Sequence, residues 1–379
     1  MFKTIRKILL KPERTIHAPP FVFEPSLEAA EKNLEVLNSK NMSLETVLQS
    51  SPFSVCSLGS EFRPVHDLQE IFQNHPKWTL LQSIFHKGAK YPMVELDEAS
   101  RLKDVKEGMK RGNHYGAKIF KSELEKKSSK EIRLGRMLPL LPGTEMLLPH
   151  AEYCPTSMIE QMTIDSMGTF IEKKRPIHGQ SFLQSHSQTS VNGRVHKPLL
   201  DECIYGHMLS RVVHYILSLR LRSPHTRILI SKADLDSVYR RAHVDHKAAA
   251  KTITWFAHQD SKLLLLFLRL TFGGSPGPSL FSVISECLTD LVNAILRCED
   301  HWDPTDLTSL LEAIMSETKT LPEDVPFAAA APLSVNIPET AIAKSDFWMT
   351  ILILASTPHQ IDRDSKQQSP WQWMRCVAA

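Results

Sequence analysis

The stretch ISKADLDSVYRRAHV, residues 230–244, decides how this chain is read. It sets Asp234 at the end of a short apolar run and an arginine pair, Arg240 and Arg241, a little further on. The run itself, RILIS at 227–231, has the branched apolar composition of a strand, and KADLD follows at once. An aspartate in that place is either an ordinary turn residue or one ligand of a metal site that needs further carboxylates. What else the chain carries decides between them.

Working outward, AAKTITWFA (249–257) and LLLLFLRLTF (263–272) read as two strands joined by the turn-like HQDSK. After GGSPGP an apolar helix runs from Pro278 to about Leu296, with proline well suited to its first turn. Before residue 227, Leu209, Val212, Val213, Ile216, Leu217 and Leu219 predict a helix over 200–222. The order helix, strand, short helix, strand, strand, helix gives a mixed unit, and the chain as a whole is read as α+β.

The first 150 residues read as helical and chemically quiet. Leu27, Ala30, Leu34 and Leu37 recur at helical spacing behind Ser26, a good N-cap. Asp67 with Glu70 resembles a capping box, Pro76 ends that helix, and Trp78–Phe85 forms another that stops at Gly88. The charged stretches 97–111 and 115–136 also favour helix. From about 137 LPLLPGTEMLLP reads as extended or loop chain, which sets a boundary near 150. This divides the chain into a helical extension (1–150), a mixed domain (151–300), an acidic proline-containing linker (301–345) and a tail (346–379).

Composition is that of a globular protein: 42% apolar and 23% charged, with a net charge of +3. The charge is uneven, since residues 171–251 hold fourteen Lys/Arg against six Asp/Glu and residues 285–350 hold three against twelve. A basic middle suits a polyanion such as nucleic acid. The six cysteines form no C-x-x-C pair, which favours a reduced intracellular setting, cytoplasmic or nuclear, over a disulfide framework. Cys298 with His301, and His243 with His246, have ligand-like spacing but lack the second pair a zinc site needs. LLLLFLRLTF is too short for a membrane span and contains Arg269, so no membrane partner is expected.

The strand-end aspartate, the tyrosine five residues on and FGGSPGPSLF together resemble the reverse transcriptase domain of retrotransposon polyproteins, over about residues 171–296. The resemblance implies a partial fingers and palm. In that family a palm strand ends in a metal-binding aspartate, matched here by Asp234. Two magnesium ions roughly 3.5–4 Å apart activate the primer hydroxyl and stabilise the transferring phosphate. Tyr239 matches the aromatic under the sugar of the incoming nucleotide, although a core tyrosine fits the same pattern. Gly273, Pro278 and Phe281 match the segment that positions template and nucleotide and opens the packed helix. Arg175 in KKRPIH matches the fingers residue that meets the triphosphate. The implied partners are an RNA or DNA primer-template and a nucleoside triphosphate, and the implied cofactor is Mg²⁺. One departure is Gly179, where the family pattern favours an acidic residue after the histidine.

The family's palm continues to a hairpin bearing an aromatic-x-Asp-Asp turn, and the chain has no Asp-Asp after residue 296. It has SDFWMTILIL at 345–354 instead. Trp348 can only be TGG and Met349 only ATG, and Thr350 must begin AC. From the third base of each codon these read GAT then GAC, and the preceding codon, the last base of Phe347 plus TG, is Leu in either case. The alternative frame therefore encodes (Phe/Leu)-Leu-Asp-Asp. The expectation is a frame-interrupted copy, catalytically dead as encoded, with an out-of-frame tail. The competing expectation is a non-catalytic helical interaction or nucleic-acid-binding protein. In the first case Arg211, Arg220, Arg222, Arg240 and Arg241 should in part face a cleft. A serine hydrolase elbow at Gly273–Gly277 is disfavoured, because Pro276 follows Ser275 and has no N–H for an oxyanion.

Overall fold

A computed structural model describes residues 17–50, 54–165, 167–201, 213–214, 216–217, 221, 227–234, 237–258, 261–297, 342–346 and 349–356. Its N-terminal part is helical, as the periodicity predicts. Helix α1 (Leu27–Asn38) starts at Ser26, whose Oγ accepts the Ala29 N–H at 3.1 Å. Its buried Asn33 donates to the Pro139 carbonyl at 2.9 Å and so ties the helix to the first strand. Helix α2 (Leu44–Gln49) follows, then α3 (Val65–Phe72) and α4 (Trp78–Lys87), which ends at Gly88 with φ 81.

Asp67 does not cap α3, contrary to the capping-box reading. The helix begins two residues earlier behind Pro64, and Asp67 is buried in its first turn. Pro64 stands at the N-cap, where its fixed φ suits helix entry and no side-chain acceptor caps the first turn. Helix α5 (Glu98–Arg111) is capped by Asp97, and α6 (Tyr115–Ile119) and α7 (Lys121–Arg133) complete this part.

The LPLL run is a strand, β1 (Met137–Leu140), and a one-turn helix α8 (Thr144–Leu147) follows it. β1 pairs antiparallel with β6 (Ser261–Phe267), which pairs in turn with β5 (Thr254–His258). β6 is apolar without a break from Leu263 to Phe267 because both its faces are covered there. Leu264 and Leu266 join the main core, while Leu263, Leu265 and Phe267 pack with Ala30, Ile132 and Phe256. The predicted strand over AAKTITWFA begins only at Thr254. Its alanines end helix α10 (His246–Ala250), because Asp245 Oδ1 accepts the Ala248 N–H and alanine favours helix.

Between these elements β2 (Thr156–Ile164) and β3 (Phe170–His178) form a nine-pair antiparallel hairpin. β4 (Arg227–Asp234), the short helix α9 (Val238–Arg241), α10, β5 and β6 come next, and then the long helix α11 (Gly277–Arg297). The last four positions assigned to the acidic linker are extended, in β7 (Ile342–Asp346), which pairs with β8 (Met349–Ser356). The helix predicted over 200–222 lies mostly outside the described residues. One core runs from Phe21 through Leu138, Tyr239 and Leu266 to Leu291, so packing is continuous across residue 150. No helix among the described residues is long and apolar enough to cross a membrane.

Candidate functional site

β4 ends at Asp234, and the whole strand pairs antiparallel with β8, from Arg227 opposite Ser356 to Asp234 opposite Met349. β8 also pairs with β7, where Met349 faces Asp346. Asp234, Met349 and Asp346 thus form one row across a three-stranded sheet ordered β4-β8-β7. Only residues 347 and 348 separate β7 from β8. The Leu-Asp-Asp of the alternative frame is encoded at this hairpin end.

The residues present do not fit a pair of magnesium ions. Directly opposed antiparallel residues lie about 4.5–5.5 Å apart at Cα, and the one opposite Asp234 is a methionine. A thioether is a soft ligand, whereas Mg²⁺ takes hard oxygens. The other carboxylate of the row, Asp346, is two strand spacings away, about 9.6 Å. No group of three His, Cys, Asp or Glu arranged to hold a metal occurs among the described residues.

Of the other predicted site residues, Tyr239 and Phe281 are in the core and Gly273, Pro278 and Arg175 lie toward the surface. Gly273, at φ 117, leaves β6's trailing segment directly against the end of β3: a Cβ built there would lie 2.0 Å from the His178 carbonyl oxygen. The His178 N–H donates to the Phe272 carbonyl at 3.1 Å, closing the same contact from the other strand. Only glycine satisfies both the backbone angle and the approach. Asn192, which sequence reasoning missed, clamps this turn. Its Nδ2 donates to the Gly273 carbonyl at 2.6 Å, and its Oδ1 accepts the Ser275 N–H at 2.7 Å. The Asn-Gly pair at 192–193 signals a turn and nothing more, so only the tertiary contact reveals the clamp.

Tyr239 is 3% exposed, its ring centroid 5.1 Å from that of Phe272 and 5.7 Å from that of Phe281. It sits where the core reading of the sequence would have it. Phe281 is buried and Pro278 half-buried at the start of α11. Arg175 lies three residues before His178 on β3 and is exposed. Gly179 is again a matter of space, since a Cβ there would come 2.7 Å from the Pro155 carbonyl oxygen. The structure therefore brings Tyr239, Gly273, Pro278, Phe281 and the base of the Arg175 strand together, and covers the tyrosine ring.

The arginines expected to face a cleft do not do so where they are described. Arg240 is buried, its guanidinium 5.1 Å from the Phe267 ring centroid and 3.7 Å from Glu131, with Nη1 donating to the Leu270 carbonyl. Burial holds its pKa below the ordinary arginine range, and the Arg136 charge adds to the effect. Arg241 is paired with Glu61 at 3.5 Å. Arg211, Arg220 and Arg222 lie outside the described residues, as do Cys298 and His301. His243 is buried against the Arg269 guanidinium, with its pKa held well below the usual value by burial and by that charge. His178, beneath the glycine turn, is pushed down to about 3, first by burial and then by Arg240.

Ser275 is exposed, with its own N–H taken by Asn192. Comparison of the chain with protein-family models and with curated proteins returns no match.

Proposed function

We propose that the chain is a retroelement-derived reverse-transcriptase-like protein, a partial fingers and palm whose ancestral reaction was template-directed nucleotidyl transfer and which is inactive as translated. One observation carries this reading. The strand that ends in Asp234 pairs with a hairpin, and the end of that hairpin next to Asp234 is where the alternative frame encodes (Phe/Leu)-Leu-Asp-Asp. The codon argument expected a hairpin here without fixing its register, and the pairing of β4 with that hairpin supports it.

Further support comes from the grouping of Tyr239, Gly273, Pro278 and Phe281, since four motif residues spread over more than forty positions converge on one contact region. In the ancestral enzyme Mg²⁺ bound by paired carboxylates would activate the primer hydroxyl. This chain keeps Asp234 and lacks the adjacent pair. Its remaining capacities are to hold the glycine turn against β3 and to present Arg175 to an anion.

The test is the nucleotide sequence of gene and transcript through the codons for 296–379 and beyond. An alternative frame that stays open past Leu-Asp-Asp into further strand-like coding sequence is the expected result. Early stops in that frame in both gene and transcript would leave the Asp-Asp as chance. The non-catalytic interaction protein would then be the better reading.

A further inference from the structure

Helices α4, α10 and α11 flank a cleft of about 650 Å³, a size common to small-molecule sites, which run to about 300–1,000 Å³. None of its lining residues belongs to β4, β7 or β8, so it is separate from the Asp234 row. Two walls are apolar. One is the face of α4 with Leu80 and Ile84, and the other is the face of α11 with Leu280 and Val283, while Phe281 of α11 packs on Tyr239 instead. At the rim Leu80, Val94 and Leu199 are 37%, 65% and 70% exposed, so three large apolar side chains left in water meet at one concavity. A ligand that covers them gains their burial. Along α4 the lining runs from Leu80 to Gly88, about 12 Å at a helical rise of about 1.5 Å per residue.

The far end of the cleft is charged. The Ala89 N–H donates to the His243 carbonyl at 2.8 Å, and the Ala89 carbonyl accepts the Asp245 N–H at 3.1 Å. This pairing sets Lys90 beside the start of α10, where Lys247 lines the same cleft. The carboxylates of the lining are already engaged. Glu95 accepts from Lys251 Nζ at 2.6 Å, Asp245 accepts the Ala248 N–H at 2.7 Å, and Asp201 pairs with Lys77 at 2.6 Å. The buried Lys251 is neutralised by Glu95 and by Glu152, 3.3 Å away. Lys90, exposed, and Lys247, half-buried, form no ion pair among the described residues. The cleft thus offers a ligand two uncommitted ammonium groups and no uncommitted carboxylate.

We infer that this cleft binds a small amphipathic anion, its aliphatic chain laid between α4 and α11 and its single anionic head group held by Lys90 and Lys247. A cationic chain would meet both ammonium groups without a free counterion, and a neutral chain would leave them unused. The assignment uses no residue of the nucleotidyl-transfer reading, so it stands whether or not the codons near Phe347 change frame.

The test is isothermal titration calorimetry of the full-length protein with octanoate, 1-octanol and octyltrimethylammonium at neutral pH and low salt. Octanoate should bind once per chain, about tenfold or more tighter than 1-octanol, with octyltrimethylammonium weaker still. The Lys90→Gln/Lys247→Gln variant should bring octanoate down to the level of 1-octanol and leave 1-octanol binding as in the parent, which also shows that the cleft is intact. Leu199→Glu, at an exposed rim position, should weaken both octanoate and 1-octanol. A control of equal charge, Lys103→Gln/Lys106→Gln on the exposed face of α5, should behave as the parent. No saturable octanoate binding by the parent, or equal affinity for the three chains, would overturn the assignment. So would an octanoate preference that persists in the Lys90→Gln/Lys247→Gln variant or disappears in the control.

Discussion

Replacing Gly273 with alanine should be among the most damaging single-atom additions this chain can receive. The new Cβ would lie 2.0 Å from the His178 carbonyl oxygen, well inside the closest ordinary C···O approach of about 3.3 Å. The clash is with backbone, so no side chain can rotate to relieve it. The turn or the end of β3 must shift by about an ångström, which breaks the 3.1 Å bond from His178 N to Phe272 O. A non-glycine residue at φ 117 costs about 1–3 kcal/mol, forced overpacking about 1–3 and the lost hydrogen bond about 1, which together give about 3–7 kcal/mol. The neighbouring glycines set a scale. At Gly274 the new atom meets the ends of the Gln180 and Tyr91 side chains at 2.6 Å, which can yield, for a cost of about 1–2 kcal/mol. At Gly277 the nearest atoms are at 3.6 Å and 3.8 Å, and alanine at the helix start should stabilise by about 0.5–1 kcal/mol. Urea titrations of the three variants measure this order, and hydrogen exchange over 272–281 shows whether the damage is local. A Gly273→Ala protein within about 1 kcal/mol of the parent, or an inverted order, would refute the packing of the turn on β3.

Three further outcomes follow from other parts of the structure. Glu152→Gln removes the carboxylate shared by the buried Lys251, 3.3 Å away, and the buried Arg194, and should cost about 3–5 kcal/mol in thermal or urea unfolding; an unchanged midpoint would show that the network is not closed as described. His178 is held near 3 against 6.5 in an unfolded chain, so the unfolded state binds the extra proton between those values and stability must fall as pH drops below about 6.5, by up to about 1.4 kcal/mol per pH unit; His178→Gln should flatten that part of the stability–pH curve, and an unaltered curve would contradict the burial of the imidazole. Trp348→Asp combined with Met349→Asp sets carboxylates at the hairpin end next to Asp234, and calorimetry should detect Mg²⁺ binding that Asp234→Asn abolishes; no heat beyond that of the parent would argue against the β4–β8 register as a site.

Much of the architecture is legible in the sequence where a local rule and the tertiary setting agree. Ser26 and Gly88 mark helix ends as expected, because capping chemistry is satisfied within a few residues. The unbroken leucines of β6 announce a strand buried on both faces, which the pairing with β1 and β5 provides. Reading fails where one local signal outcompetes another, as when Pro64 starts α3 ahead of Asp67 or Asp245 draws Ala248–Ala250 into a helix. It fails more deeply where function depends on partners far apart in sequence. Tyr239, Gly273 and Phe281 could be picked out by their order, but Asn192, 81 residues from Gly273, could not. Arg240 and Arg241 look like a basic patch in the sequence, and the structure spends them on Glu131, Glu61 and the Phe267 ring.

The position of Asp234 shows how far architecture and chemistry can separate. Strand pairing is set by backbone hydrogen bonds, the apolar pattern along both strands and the turn between them, so it does not require a carboxylate opposite Asp234. MTILILAS is apolar and rich in strand-forming residues, so it pairs along the full length of β4 whatever its coding history, and it covers a strand edge that would otherwise be open. A metal site has the opposite requirement. It tolerates wide variation along the strands but not the loss of a hard oxygen ligand at the one row where the carboxylates meet. On the proposed reading, a chain that keeps Asp234 at the end of β4 with Met349 opposite it retains the strand pairing and lacks the oxygen ligand that the metal requires there.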